Sequence, residues 1–379
     1  MTAIDLTAMP FIDGHMHPPY REHPADLDAY RWPWYEGDPA DTVLAADTAP
    51  YRWAIRQLAA ELGCEPTEQA VFEQVTSRDA AAWLTDMIAA GGVTGLVADM
   101  GYPPPHVTFS PQELAAAGAE VAPLLRIELR AGVIAAECER FDEFLDRFDA
   151  ELTGARAAGY VGLKSVLAYR SGLGAEPAGH AEAAAAYVRA RAGAGEGADT
   201  LFLTEKPLLD FLFERALEVA RREDMAMQLH CGYGDRDLDL PRSNPWLLRP
   251  LLERSATARA VPLVLLHGSF PYTGEAAVLA AIYPNVYFDV ATCVPPFGEE
   301  IQLQVWRTAL AMVPLSRIQT STDAAGLCEQ IALGARQARR SLGIALGELV
   351  EWDALTLAEA ERVAEDVLAG TARRLYFGA

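Results

Sequence analysis

The feature that most constrains this chain is the regular alternation of short, apolar, strand-like segments with longer helical segments. Several strand-like segments are almost continuously apolar, as in parallel strands that are covered on both faces. Repeated strand–helix units need right-handed crossovers and a parallel sheet, and eight units favour a closed sheet. The sequence therefore predicts an α/β protein with a (β/α)8 TIM barrel. The eight predicted strands are 11–17, 92–101, 124–133, 160–167, 225–232, 261–268, 286–292 and 318–324.

A single barrel over residues 1–379 accounts for the chain if it carries two insertions. Residues 18–90 begin with an aromatic, Pro-rich run and continue as helix, so we expect either a lid over the site or a packed helical cap. Residues 174–200 are rich in Ala and Gly and predict a smaller helical insertion with a structural role. Clear helical patterns elsewhere cover 137–158, 205–222, 274–283, 299–312 and 326–342.

The charge balance and the cysteine content exclude several classes of function. The chain has 31 Lys and Arg against 53 Asp and Glu, a net charge of −22, which repels nucleic acids and anionic membranes. No segment is apolar for long enough to span a bilayer, and the start lacks the pattern of a secretory signal. Five cysteines without CxxC spacing favour a reducing compartment. We expect a cytoplasmic protein with a small-molecule substrate; a homo-oligomer is compatible with a barrel of this size.

Polar side chains lie where several predicted strands end, and in a barrel these ends form the active-site face. His15 and His17 close the first strand, and residues two apart on a strand point to the same side. His230, His267 and Asp323 close the fifth, sixth and eighth strands. Each histidine alone fits a hydrogen-bonded core side chain equally well. As a set of imidazoles and a carboxylate, they predict a divalent metal site.

Lys164 lies within the otherwise apolar fourth strand, where an unpartnered ammonium is costly. It is either carbamylated, so that it bridges two metal ions, or paired with an acid or the substrate. Tyr169 and Arg170 follow this strand, and their position suggests recognition of a substrate carboxylate, with a helix-capping or surface arginine as the alternative. Glu128 and Arg130 alternate on the third predicted strand and therefore share one of its sides.

The residues that resemble the metal-ligand pattern of the amidohydrolase superfamily are, in chain order, His15, His17, Lys164, His230, His267 and Asp323. Within that superfamily the chain most resembles the amidohydrolase-related group that is also fused to glutamine-synthetase-like domains. Three segments carry this resemblance, and the eighth-strand segment STDAAG departs from it by placing Ala325 where many relatives have a histidine or another polar residue. The three segments are GLKSVLAYRSGL (162–173), LHCGYGDRDLDLPRSNPWLLRPLL (229–252) and LLHGSFPYTGEAAVLAAIYPNVYFDV (265–290).

The resemblance implies a divalent metal cofactor, with zinc as the expected ion and one or two ions bound. His15, His17 and Asp323 would hold the first ion, and His230 and His267 would hold a second if Lys164 is carbamylated. With a single ion, His230 joins its ligands and His267 polarises the substrate carbonyl. Asp323 is implied to accept a proton from the attacking water and to return it to the leaving group.

The predicted function is therefore metal-dependent hydrolysis of an amide or another C–N bond in a small, carboxylate-bearing substrate. Two alternatives remain open from the sequence. One is a metal-dependent decarboxylase on the same fold, which would use one ion. The other is a barrel without catalytic activity that serves as a binding or regulatory module, although the complete ligand set argues against it.

Overall fold

Eight strands pair side by side in one sheet, in the same order as they occur along the chain. The structure, a computed structural model, describes residues 3–193, 198–291 and 297–378. A parallel sheet in this order, with helices in the connections, is the arrangement of a (β/α)8 barrel, which confirms the predicted fold. The strands are β1 Phe11–Met16, β2 Val93–Asp99, β3 Glu120–Arg126, β4 Gly162–Ser165, β5 Ala226–Leu229, β6 Leu263–Leu265, β7 Val286–Ala291 and β8 Ile318–Ser321.

Every connection between consecutive strands contains at least one α-helix. The periodic apolar face of the helix that precedes β5, which includes Leu208, Leu212 and Ala216, is buried as the 3.6-residue spacing predicts. The α-helices are α1 Leu27–Arg31, α2 Ala49–Leu62, α3 Glu68–Thr76, α4 Ala80–Ala90, α5 Pro111–Ala116, α6 Ile127–Glu137, α7 Phe141–Gly154, α8 His180–Ala192, α9 Lys206–Arg222, α10 Arg249–Arg254, α11 Thr273–Ile282, α12 Glu299–Met312, α13 Cys328–Glu351, α14 Leu357–Glu365 and α15 Thr371–Tyr376.

The third strand is shorter than its sequence pattern predicts. β3 ends at Arg126, and α6 begins at the next residue, so the prediction of a strand over 127–133 is wrong. Glu128 and Arg130 consequently lie in the first turns of a helix rather than on one side of a strand. Over seven residues of mixed character, the apolar pattern fits helical and strand periods about equally well, and the following IAAE favours helix.

The segment between β1 and β2 contains α1 to α4, as the helical pattern of residues 18–90 predicts. Two of its aromatic residues, Tyr30 and Trp34, are buried, and the Trp34 ring meets that of Tyr51 edge to face with centroids 5.7 Å apart. These rings therefore form the apolar interior of this segment. In the second predicted insertion, α8 is helical, while residues 194–197 lie outside the described part of the chain.

Contacts between residues divide the chain into two compact units. The first unit takes the described residues of Met1–Ala122, Gly234–Arg236 and Asp289–Ala379, and the second takes Pro123–Tyr233 and Asp237–Phe288. Among the described residues, no helix combines the length and the apolar character needed to cross a membrane.

In the first unit, Arg339 of α13 fastens the beginnings of β1 and β2. Its guanidinium donates hydrogen bonds to the carbonyl oxygens of Met9, at 2.8 and 3.0 Å, and of Gly91, at 2.7 Å. Burial lowers the pKa of Arg339 to about 10. One buried side chain thus provides hydrogen bonds to backbone acceptors at the strand beginnings.

The other ends of β1 and β8, also in the first unit, are packed too closely to admit a side chain at Gly14. A Cβ built on Gly14 would lie 2.6 Å from the Gln319 side-chain nitrogen and 2.7 Å from the Thr320 carbonyl oxygen. The backbone oxygen cannot move without disturbing β8. Glycine at this position therefore allows the close approach of β1, which carries His15, and β8, which precedes Asp323.

We predict that Gly14→Ala destabilises the protein by about 1–3 kcal/mol, because overpacking forces the two strands apart. The matched control is Gly154→Ala at the exposed end of α7, where a Cβ meets nothing within 4 Å. The control should change the free energy of unfolding by about 1 kcal/mol or less, in the stabilising direction. Urea denaturation measures both, and equal stability of the two variants would contradict the packing argument.

Candidate active site

His15 and His17 present their imidazoles on one side at the end of β1. His15 is fully buried, and the side chain of His17 is 12% exposed. The two rings meet edge to face with centroids 5.0 Å apart, as expected for residues two apart on a strand. The structure thus brings the predicted pair together at a strand end.

Asp323 reaches the same point from the residues that follow β8. Its Oδ1 lies 3.5 Å from Nε2 of His15 and 3.6 Å from Nε2 of His17. The backbone fixes this arrangement, because the amide of Asp323 donates to the carbonyl of His15 at 3.0 Å and the amide of His17 donates to the carbonyl of Ala324 at 2.7 Å. Asp323 also has a φ of +52°, a left-handed conformation that costs a non-glycine residue roughly 1 kcal/mol or more.

These three residues suit a divalent cation. One ligand atom from each of His15, His17 and Asp323 lies within 4.8 Å of the other two. Two imidazole nitrogens and one carboxylate oxygen are a donor set that Zn²⁺ and other first-row divalent ions accept, with further coordination positions left for other ligands. The chemistry of the donors and their spacing therefore fit the predicted cofactor.

Asp99, at the end of β2, is a site residue that the sequence reasoning missed. It is fully buried, its Oδ2 lies 3.9 Å from Nδ1 of His17, and its Oδ1 accepts a hydrogen bond from the amide of Gly101 at 3.0 Å. A carboxylate beside the second ring nitrogen is a common way to orient a metal-binding histidine. The sequence signal that could have identified Asp99 is its position as an acidic residue at the end of an apolar strand.

Asp13 supports the site from within β1. Its carboxylate accepts hydrogen bonds from the amide of Thr322, at 2.8 Å, from the Thr322 hydroxyl and, more weakly, from the amide of His15 at 3.4 Å. Burial raises the pKa of Asp13 to about 7, while these hydrogen bonds act in the opposite direction. The carboxyl group of Asp13 thus connects β1, which carries His15, to Thr322, the residue before Asp323.

Glu36 and Asp235 form a pair of carboxyl groups, and the charge of Asp323 acts on the pKa of Glu36. Desolvation raises the pKa of Glu36 well above its ordinary value, and a hydrogen bond with Asp235 and the charges of Asp235 and Asp323 raise it further. The backbone joins the two segments, since the amide of Arg236 donates to the carbonyl of Glu36 at 3.0 Å. A raised pKa favours the neutral form of Glu36 and so limits the negative charge beside Asp323.

In the second unit, His230, His267 and Tyr169 form a cluster of rings. The His230 ring lies 4.5 Å from that of His267 and 4.6 Å from that of Tyr169, measured between centroids. His230 follows β5 and its amide donates to the carbonyl of Ser165 at 3.1 Å, whereas His267 lies in the short 3-10 turn His267–Ser269 after β6. His267 has a φ of +61°, so a second predicted site residue occupies the left-handed region.

Lys164 is almost fully buried within β4, and it pairs in register with Arg126 of β3 and Gln228 of β5. Its positive charge acts to lower the pKa of the Cys231 thiol. Burial outweighs this effect and raises the pKa of Cys231 to about 12, so the thiol stays protonated and is a poor nucleophile.

Glu128 explains how the residues after β4 are held. From the first turn of α6, its buried carboxylate accepts hydrogen bonds from the Ser165 hydroxyl at 2.6 Å and from the amide of Val166 at 3.0 Å. Burial raises the pKa of Glu128, and the two hydrogen bonds oppose that shift. Arg130, which the predicted third strand would place on the same side as Glu128, instead forms an ion pair with Glu151 of α7.

Arg170 is half-buried behind β4, and its guanidinium lies 3.3 Å from the centroid of the Phe202 ring. Burial lowers the pKa of Arg170, while the charges of Glu128 and Asp237 act to raise it. The guanidinium remains charged at neutral pH. It is therefore a partly buried cation held against an aromatic face.

A family model and a curated protein match this sequence. The amidohydrolase family model matches residues 163–378. Protein fluG from Emericella nidulans is 34% identical over 244 residues, which make up 62% of this chain and 28% of fluG. The chain thus spans less than a third of that relative's length.

Among solved structures, a protein from Lactobacillus casei described as a candidate metal-dependent hydrolase has a TM-score of 0.87 and 27% identity, covering 100% of this chain and 98% of its own. The uronate isomerase of Thermotoga maritima has a TM-score of 0.70 and 16% identity, over 98% of this chain and 95% of its own. At that identity the isomerase supports the fold alone. The family model covers more than half of the residues, which confirms the predicted superfamily: the chain belongs to the amidohydrolase family.

Proposed function

We propose that this protein is a metal-dependent hydrolase that cleaves an amide or another C–N bond of a small, carboxylate-bearing substrate. The observation that carries the proposal is the cluster of His15, His17 and Asp323, whose ligand atoms lie within 4.8 Å of one another. The similarity to a candidate metal-dependent hydrolase over the full chain supports it. A divalent ion bound there, with zinc as the first choice, would lower the pKa of a water molecule and polarise a carbonyl group.

In this proposal, His15, His17 and Asp323 bind the ion, and Asp323 also transfers a proton. Oδ1 of Asp323 faces both imidazoles, and we assign Oδ2 of the same carboxylate to proton transfer. A carboxylate held this rigidly can take a proton from the attacking water and deliver it to the leaving nitrogen, provided that both lie within hydrogen-bond reach. The backbone hydrogen bond between Asp323 and His15 helps to keep the carboxylate in position.

The resemblance adds Lys164, His230 and His267 to the proposed metal-binding residues, with His267 also catalytic beside Asp323. Tyr169 and Arg170 are the proposed substrate-binding residues, since a guanidinium matches the two oxygens of a carboxylate. We further propose a cytoplasmic location and a small-molecule substrate, on the strength of the net charge of −22 and the cysteine content.

We predict that His15→Asn and His17→Asn each reduce the affinity for the divalent ion by more than about 100-fold. Removing a residue that only hydrogen-bonds to a metal ligand typically costs roughly 10–100-fold in affinity. The expected loss is larger here because each variant deletes one of the three clustered donors. Elemental analysis of purified protein and zinc titration measure the effect. His106→Asn, at an exposed loop position, is the control and should bind metal as the parent does. Unchanged metal content in both site variants would remove this cluster as the metal site.

Asp323→Asn should lower turnover by about 10²–10⁴-fold while the fold is kept, because the amide cannot accept the proton and asparagine tolerates a left-handed backbone. The substrates to screen are N-acyl and γ-glutamyl amino acids, with the best of them used for the comparison. Asp353→Asn is a matched control, since Asp353 is exposed and has a φ of +58°. A turnover number equal to that of the parent would exclude Asp323 as the proton carrier.

A further inference from the structure

A cavity in the second unit has a lining of unusual charge for this chain. Its volume is about 340 Å³, within the range of sites for small molecules. Three cationic side chains and no acidic ones line it, although the whole chain has 53 acidic and 31 basic residues. The lining residues that matter here are Arg170, Ser171, Gly172, Thr204, Lys206 and Arg242.

Two consecutive residues of the cavity lining carry buried hydrogen-bond donors. Nε and Nη1 of Arg170 and the hydroxyl of Ser171 are shielded from solvent, and none of them has a hydrogen-bond partner among the described residues. A buried donor without an acceptor costs about 1–3 kcal/mol, and more when the group is charged. An oxyanion in the cavity is the ligand that would satisfy both groups, because it offers several acceptor lone pairs and a compensating charge.

The guanidinium of Arg170 is held in place before any ligand arrives. Phe202 covers one of its faces at 3.3 Å, so the plane of the guanidinium is fixed against an aromatic ring. Burial lowers the pKa of Arg170 but leaves it charged at neutral pH. A fixed planar fork of donors binds a carboxylate or a phosphate with little further loss of conformational entropy.

Lys206 and Arg242 add positive potential at the rim. Lys206 donates a hydrogen bond to the carbonyl of Gly174 at 2.6 Å and pairs with Asp210, and Arg242 lies 3.1 Å from Asp239. Since both have acidic partners, we assign them an electrostatic contribution and give the principal contacts to Arg170 and Ser171. The carboxylates of Asp210 and Asp239 lie outside the residues that line the cavity.

Gly172 allows Arg242 to come this close. It has a φ of +86°, and a Cβ built on it would lie 2.8 Å from the Cβ of Arg242. The amide of Leu173 also donates to the carbonyl of Arg242 at 2.9 Å. The backbone that follows Arg170 and Ser171 is thus shaped to bring a third cation to the same cavity.

From these contacts we propose that this cavity binds the carboxylate or phosphate group of a small molecule, with Arg170 and Ser171 as the principal donors. Identifying that group as part of the hydrolysed substrate rests on the proposed function. The binding of an anion is a property of the second unit alone, and it is tested without turnover.

The test is isothermal titration of the purified protein with glutarate and, separately, with inorganic phosphate at low ionic strength. At least one anion should bind; glutarate alone would indicate a carboxylate ligand, and phosphate alone a phosphate ligand. Arg170→Gln should weaken binding by at least about tenfold, because a charge-assisted contact is lost. If neither anion binds at millimolar concentration, or if Arg170→Gln binds as tightly as the parent, the inference is overturned.

Arg242→Gln provides a second variant at an exposed side chain, which does not depend on folding around Arg170. It should weaken anion binding by about two- to fivefold and reduce its dependence on salt. The matched control is Arg249→Gln, since Arg249 lies in the same unit, is 52% exposed, and also has an acidic neighbour, Glu253 at 3.8 Å. Equal weakening in both variants would indicate a general charge effect and would contradict the cavity.

His15→Asn separates this inference from the proposed function. Anion binding that persists in this variant, together with loss of metal, supports both proposals. Anion binding that disappears in His15→Asn but survives in Arg170→Gln would place the anion on the metal and overturn the cavity, while leaving the hydrolase proposal intact. Anion binding that needs Arg170, in a protein that retains metal without His15 and His17, would overturn the proposed metal site and leave the cavity standing.

Discussion

The hydrogen-bonded junction between the ends of β1 and β8 is the constraint on which the candidate metal site depends. The amide of Asp323 is bonded to the carbonyl of His15, and the carboxyl of Asp13 is bonded to the backbone and hydroxyl of Thr322. Because Gly14 has no side chain, the two strands approach closely enough for these bonds to form. Backbone hydrogen bonds therefore position the candidate ligands, which come from distant parts of the sequence.

Two of the predicted site residues, one in each unit, have an unfavourable backbone conformation. Asp323 and His267 both have positive φ values although neither is glycine, and each directly or closely follows a strand. Such conformations persist only where surrounding interactions outweigh their cost of about 1–3 kcal/mol. At Asp323 the compensating interactions are visible in the bonds to His15 and in the neighbouring bond between His17 and Ala324. The exposed Asp353 also has a positive φ, so it is the position of Asp323 beside the two histidines that distinguishes it.

The sequence predicts the order of elements and the cluster of His15, His17 and Asp323 because both follow from local patterns. An apolar run that ends in a histidine marks both a strand and the end of that strand, and the barrel brings such ends to one face. The sequence does not single out Asp99, because an aspartate that follows a strand is common in turns. Only its distance from His17 in the structure distinguishes it. The role of Glu128 was hidden for another reason, since seven residues of ambiguous periodicity decide whether it lies on a strand or a helix.

The distribution of charge separates two kinds of chemistry within one acidic chain. In the first unit, Asp13, Asp99, Asp323 and the Glu36–Asp235 pair surround the two histidines, a concentration of acid that a divalent cation stabilises and an anionic ligand alone does not. In the second unit, Arg170, Lys206 and Arg242 line one cavity without an acidic residue among them. Of these, only Arg170 has buried donors without a hydrogen-bond partner among the described residues, and such donors are costly unless an acceptor reaches them. The two sets of residues therefore favour ligands of opposite charge, a metal cation in the first unit and an oxyanion in the second.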